Sequence, residues 1–329
     1  MIHLRIVAPA DRAEATLAAL ERSSAVSNVV HVPGAARRPA GDLVLADVAR
    51  EEASSVIADL RGLGLKQDGS IALLEIDSHI SDHADAAVRS AKGLPADAVV
   101  WEEVEATTSE QVELSGVFLV FMVVAGLLAM VGIYQDSAIL IVGAMVVGPE
   151  FGPLAGLCVA SVERRRPLAR RSAAALLVGF ALSIVVVYAT THLLKWVGVF
   201  DAAFAQQDHS FANIISSPDF LTFFVAASAG VAGMLSLSTA KSGALIGVLI
   251  SVTTLPAAAN VGVSAAYGDW DTCLGSLGQL GINLGAIVLS GVIVLWLQRL
   301  HYLRLRHKRR AERGLTPTSR ATTRSRPSS

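Results

Sequence analysis

Hydrophobic and polar positions divide the chain into two regimes. Up to about residue 80 they alternate or recur with short periods. From residue 116 to about residue 300, apolar residues run in long stretches interrupted by few charges. In the first regime, residues 2–8 (IHLRIVA) predict a strand. Ala13, Leu17 and Leu20 then fall at helical spacing within 10–22. Residues 26–32 (VSNVVHV) predict a second strand, the run from Pro33 to Gly41 a turn, and residues 42–48 (DLVLADV) a third strand. A helix over 50–62 is stopped by Gly62 and Gly64, and residues 70–78 complete the set as a fourth strand. The order βαββαβ is that of an α+β, ferredoxin-like domain over residues 1–81. Residues 82–115 are polar and acidic, and read as a linker with helical turns ending in a helix that enters a membrane.

The second regime, 116–300, predicts an all-α polytopic membrane domain of six spans: 116–135, 137–162, 172–194, 219–240, 242–266 and 273–298. A basic tail rich in Ser, Thr and Pro over 301–329 reads as disordered.

The second span breaks the rules of a simple helix. Gly148, Pro149, Gly152 and Pro153 cluster at its middle with a carboxylate, Glu150, among them. Proline lacks a backbone donor and clashes with the preceding turn. Each half is only about 12–13 residues, about 18–20 Å if helical, and a hydrocarbon core is about 30 Å thick. Such a break is tolerable only where protein or a watery cavity covers it. The fifth span parallels the second. Asp136-Ser137 opens one and Lys241-Ser242 the other, and each runs through aliphatic residues and glycine to a proline, Pro149 or Pro256. Three spans follow three, so the halves would lie inverted, with broken helices two and five meeting at a midplane site.

Charge fixes an orientation. Arg164, Arg165, Arg166, Arg170 and Arg171 lie between spans two and three, Lys241 between four and five, and Arg299 with Arg304, Arg306, Lys308, Arg309 and Arg310 after six. The positive-inside rule places these loops and both termini in the cytoplasm, in a cell's inner membrane. The two cysteines, Cys158 and Cys273, have no metal-type spacing, so neither a disulfide nor a metal site is expected. The N-terminus lacks the pattern of a cleaved signal peptide. Residues 1–80 contain no Phe, Trp or Tyr, which argues against nucleic acid stacking on the sheet. No nucleophile elbow, phosphate loop or metal motif is present, so an enzyme is not expected, nor a cofactor.

Taken together, the soluble βαββαβ pattern, GAMVVGPEFGP at 143–153, KSGALIGV at 241–248, the Pro256 segment, GDWD at 268–271 and Asn283 resemble the prokaryotic membrane family catalogued as domain of unknown function 389. The resemblance implies a cytoplasmic ferredoxin-like domain and six membrane helices, and brings no substrate. This chain departs from the family's usual pattern at Glu150, where an apolar residue is typical, and at Pro256, where a pair of prolines is common.

The candidate transport or binding site comprises Gly148, Pro149, Glu150, Gly152 and Pro153 with Thr253, Thr254, Pro256, Asn260, Gln279 and Asn283. An intramembrane carboxylate costs roughly 2.5–3.5 kcal/mol on insertion scales, so it belongs inside the protein or in water, where it suits proton coupling or cation binding. The alternative is a wet vestibule at one face. Thr253 and Thr254 can satisfy backbone groups freed by Pro256. The amides of Asn260, Gln279 and Asn283 either bond between helices or line a path. Gly230 and Gly233, and Gly275, Gly278, Gly281 and Gly285, mark close helix packing within or between subunits. Three readings stand: a secondary transporter of an unknown small solute or ion with a regulatory or assembly domain; an oligomeric channel gated by that domain; and a non-transporting sensor or scaffold. The expected partners are the lipid bilayer, further copies of the chain and the unknown solute.

Overall fold

The computed structural model of the chain describes residues 1–76, 78–91, 98–200, 220–238 and 246–312, with the backbone alone at 246–253 and 305–312. The soluble part runs β1 (Ile2–Ala8), α1 (Ala10–Glu21), β2 (Val26–Arg37), β3 (Ala40–Val48), α2 (Arg50–Gly62), a short α3 (Leu65–Asp68) and β4 (Ser70–Glu75). The strands form one sheet in the order β2-β3-β1-β4, and every neighbouring pair is antiparallel. Central β1 sets the register, with Leu4 opposite Ala46 on one side and Leu73 on the other. Alternation sends Leu4, Ile6, Val44 and Ala46 to one face, where they are fully buried with Leu20 of α1 and Ile57 and Leu60 of α2.

The expected turn over 33–41 is mostly strand. β2 continues to Arg37 past register shifts, and the Gly34 amide, in a left-handed backbone (φ +64°), donates to Asp42 at 2.9 Å. Glycine tolerates that conformation, which lets the arm twist and keep pairing.

The linker carries two helices. α4 (Asp82–Ser90) is capped by Ser81, whose hydroxyl accepts from the Ala84 amide at 3.3 Å; α5 spans Trp101–Gln111. The apolar region then folds into α6 (Gly116–Tyr134), α7 (Ala138–Val147), α8 (Phe151–Glu163), α9 (Arg166–Val197), α10 (Phe220–Ser238), α11 (Ile246–Tyr267) and α12 (Trp270–Glu312). Four of these, α6, α9, α10 and α12, are long and apolar enough to cross a membrane. The pair α7 and α8, bent by 55° at their junction, would make a fifth span.

The helical region is inside-out relative to a water-soluble fold. Val120, Phe121, Leu177, Phe224, Leu274 and Leu289 are exposed, while Ser183, Thr191, Asn260, Ser276 and Asn283 are buried. Apolar side chains outside and hydrogen-bonded polar ones inside are the arrangement hydrocarbon selects.

Three expectations need correction. Helix five is not broken at Pro256: α11 passes through the proline without interruption. Every residue from Thr254 to Ser264 is buried, and α6, α7, α8, α9, α10 and α12 all pack against the helix. Enclosure on all sides absorbs one lost backbone bond. The end of the chain is not tail from residue 301, because α12 continues to Glu312. α9, too, begins six residues before the apolar stretch, at Arg166, with Pro167 in its first turn where a missing N–H is harmless. Lys241, Ser242 and residues 201–219 lie outside the described residues, as do residues 313–329.

The two ends of the bundle differ. At one, Tyr134 stacks on Phe200 with ring centroids 3.8 Å apart, and the Lys195 ammonium donates to the Ala266 carbonyl at 2.8 Å while lying over the Tyr267 ring. At the other, Arg299 of α12 donates to the Val162 carbonyl at 3.2 Å and faces the Trp101 ring of α5. The arginines after α8, the soluble domain and the C-terminal part of α12 therefore share one end.

Candidate functional site

The site begins with a dipeptide. A residue before proline is disfavoured in helical geometry. Gly148 accordingly leaves α7 in an extended conformation (φ −66°, ψ 127°) ahead of Pro149, and helix resumes only at Phe151. Pro153 does not extend the break. It is the third residue of α8, where an amide would have no helical acceptor in any case. Glu150 is the residue preceding α8, at the end where the helix dipole is positive. Its side chain forms no cap on α8. Instead it turns back over Gly148 towards α11, and it is fully buried.

Two contacts define its place. The Thr254 hydroxyl of α11 donates to Glu150 Oε1 at 3.0 Å, within the protein interior. A methyl group on Gly148 would lie 2.4 Å from Glu150 Oε2 and 2.2 Å from Leu255 Cδ1. Glycine at 148 is what allows the carboxylate and α11 to close over the break. The kink between α7 and α8 thus meets α11 at Thr254-Leu255, immediately before Pro256. Pro256 has no N–H for the carbonyl of residue 252, so the continuous helix carries one freed backbone acceptor next to the carboxylate's partner. The Thr253 side chain lies outside the described residues.

Asn260, Gln279 and Asn283 are all buried. The Asn260 amide donates to Ser276 Oγ at 2.9 Å, pinning α11 to α12. Gln279 donates to Asn283 Oδ1 at 2.9 Å, while its own amide oxygen is buried with no hydrogen-bond partner among the described residues. The two helices run antiparallel through the short link at Gly268-Asp269. With Asn260 opposite Ser276, equal rise places Gln279 at the depth of residue 257 and Asn283 at that of residue 253. Glu150, Thr254, Pro256, Gln279 and Asn283 therefore occupy one layer of the bundle, and Asn260 lies outside it as an interhelical bond. Among the described residues, no group of three or more His, Cys, Asp or Glu side chains could hold a metal ion.

Sequence reasoning missed α5 as part of this region. A methyl group on Gly152 would lie 2.8 Å from the Gln111 carbonyl oxygen and 2.7 Å from its Cβ, so the last turn of α5 lies against the start of α8 two residues from Glu150. The other end of α5 is tied to the soluble domain. Arg50 binds Glu75 at 2.6 Å and Glu103 at 2.9 Å, the Ser54 hydroxyl donates to Glu102 at 2.7 Å, and the Trp101 amide donates to Ser54 Oγ at 3.0 Å. The only sequence signal was the pair of carboxylates opening a helix, which is also what any solvated helix start shows.

The small residues divide. A methyl group on Gly230 would lie 2.6 Å from the Ile287 carbonyl oxygen, so α10 and α12 cross there backbone to backbone; Gly233 is buried on the same helix. Gly278, Gly281 and Gly285 do not pack against the described residues: they are exposed, with no described atom within reach of an added methyl, and Gly275 is half-buried.

Comparison with known proteins finds similarity to a family and a relative of unknown function. The family described as a domain of unknown function (DUF389) matches residues 145–289, from the end of α7 into α12. An uncharacterized protein of Methanocaldococcus jannaschii is 26% identical over 196 residues, covering 60% of this chain and 58% of that relative, so the matched region spans little more than half of it. No solved structure matches.

Proposed function

We propose, for a chain whose residues 145–289 belong to the family described as domain of unknown function 389, that it is a secondary transporter of a small solute or ion, with Glu150 as the coupling carboxylate. The observation that carries this reading is the buried Glu150–Thr254 contact at the break between α7 and α8. A carboxylate removed from water at a kinked membrane helix costs stability that packing alone does not require, and a residue that binds and releases a proton or cation explains its presence. Besides the carboxylate and the Thr254 hydroxyl that donates to it, the same layer of the bundle holds oxygen acceptors in the freed carbonyl of residue 252 and the Gln279 amide oxygen, which has no partner among the described residues. Such a set suits a proton or a hard cation rather than an anion. Glu150, one residue before α8, puts a negative charge beside that helix start, which disfavours an anion there.

The remaining assignments belong to the same reading. The sheet order and antiparallel pairing support a ferredoxin-like domain, and its connection through α5 to Gly152 supports a regulatory role. The shared location of the soluble domain and the arginines of the α8–α9 turn supports an inner-membrane protein of six spans with cytoplasmic termini. The inverted repeat rests on the parallel in sequence between the second and fifth spans, each running through glycine to a proline, while α11 itself is unbroken. The outward Gly278, Gly281 and Gly285 support a homo-oligomer. We read the protein as a carrier and not an enzyme or a nucleic-acid-binding protein.

Flux through proteoliposomes tests this. Saturable uptake driven by a proton or cation gradient is the expected result. An ohmic current would make the protein a channel. The α5 connection favours a second reading, a sensor whose soluble domain responds to the state of the membrane helices. Absence of flux across a broad panel of ions and solutes would leave that reading and overturn transport.

A further inference from the structure

A cavity of about 460 Å³ opens at the end of the bundle that carries the soluble domain, far along α8 from Glu150. It is lined by Ser109 of α5 and by Arg164, Arg165, Arg166 and Arg171 around the turn from α8 into α9. Arg164 ends α8 in a left-handed backbone (φ +57°), and the chain then turns directly into α9. Three consecutive guanidinium groups consequently fan around one hollow, and Arg171 joins them from the second turn of α9.

The charges here are unequally engaged. Arg165 pairs with Glu105 of α5. Glu163, the other carboxylate at this turn, is engaged by Arg299 at 3.5 Å. Arg164, Arg166 and Arg171 have no ion pair among the described residues, although all are placed around the same space. The start of α9, a helix of 32 residues, adds its unpaired amides and the positive end of its dipole to the rim. The hollow thus combines three uncommitted cations, one neutral hydroxyl donor and a helix start, with its neighbouring carboxylates already neutralised.

We infer that this cavity is a binding site for a phosphate monoester or diester group, bridging α5 and the start of α9. Guanidinium groups match phosphate oxygens by paired donors, which lysines in the same places would not reproduce. The position favours a lipid source. The uncharged part of α9 begins at Ser172, directly after Arg171, so the cavity lies at the depth of headgroups if α9 crosses the bilayer. A free phosphate in solution offers the same chemistry. The inference does not depend on Glu150 carrying transport. Its consequence for α5 is that an occupied cavity would hold Ser109, and with it the turn that ends at Gln111 against Gly152.

Native mass spectrometry of the full-length protein, extracted from vesicles of phosphatidylcholine with a minority of phosphatidylglycerol, reads this directly. The wild type should retain phosphatidylglycerol, and R164Q/R166Q/R171Q should bind it about tenfold more weakly or worse. A variant with the same loss of charge elsewhere on this end, R170Q/R304Q/R306Q, should keep most of it. Equal loss in both variants would mean general surface attraction and would overturn the site. In phosphatidylcholine alone, inorganic phosphate is titrated against melting temperature. A rise in the wild type that the pocket variant lacks, without lipid retention, would support the site with a soluble ligand. No difference between wild type and pocket variant in either arm would overturn it. If the triple variant does not fold, Arg166→Gln and Arg171→Gln singly should each weaken retention about threefold, and unchanged retention in both would also overturn the inference.

Discussion

Glu150 and Thr254 are 104 residues apart in sequence and 3.0 Å apart in space. Their contact should have a measurable energy. Thr254→Val preserves shape but removes the donor, and a bond to a charged partner contributes about 1.5–3 kcal/mol. The variant should lower the melting temperature of the detergent-solubilised protein, and Thr254→Ser should restore most of the loss. Gly148→Ala should be at least as damaging, because its methyl group meets both the carboxylate and Leu255. It should reduce flux even where the protein still folds. Glu150 was legible in the sequence because a charge in an apolar run stands out. Its partner was not, since nothing in a threonine beside Pro256 distinguishes a side chain that bonds another helix from one that satisfies its own.

Helix-scale features separate by how locally they are determined. The break at Gly148-Pro149 follows from two adjacent residues and could be read directly. The continuity of α11 could not, because it depends on six neighbouring helices enclosing Pro256. Glycine spacing has the same limit: it marks a close-packing face without saying which partner fills it. Gly230→Ala should destabilise the chain by about 1–3 kcal/mol through overpacking against Ile287, whereas Gly281→Ala should leave its thermal stability unchanged. If the outward glycine face packs against another copy, Gly281→Leu should shift the mass measured by light scattering.

The attachment of α5 carries a pH signature. Glu103 is held above its ordinary value of 4.5, chiefly because burial disfavours its charge, with Arg50 opposing. A carboxyl group raised on folding binds its proton more tightly in the native state. Its contribution is fully present below pH 4.5 and is lost as pH rises through its raised native value. Across that window the first unfolding transition of the wild type should fall with pH more steeply than that of Glu103→Gln, and parallel curves would contradict this.

At the scale of the whole molecule, two organisations meet. The soluble sheet could be read from alternation, and the apolar helices from length. What joins them, α5 lying between Arg50 and Gly152, is a matter of tertiary contact that a polar linker sequence does not reveal. The distribution of charge gives the molecule polarity: arginines, the soluble domain and the cavity at one end, Lys195 and stacked aromatics at the other. Between them, Glu150 sits in a layer with Thr254, Pro256, Gln279 and Asn283, enclosed by apolar surfaces. We propose that this enclosed carboxylate couples transport. Its most direct test compares the pH dependence of solute or ion flux in proteoliposomes containing wild type and Glu150→Gln at matched folded protein. A pH-dependent, gradient-driven flux in the wild type that loses its pH dependence in the variant is the expected result; a flux with the same pH dependence in both would rule out Glu150 as the coupling group.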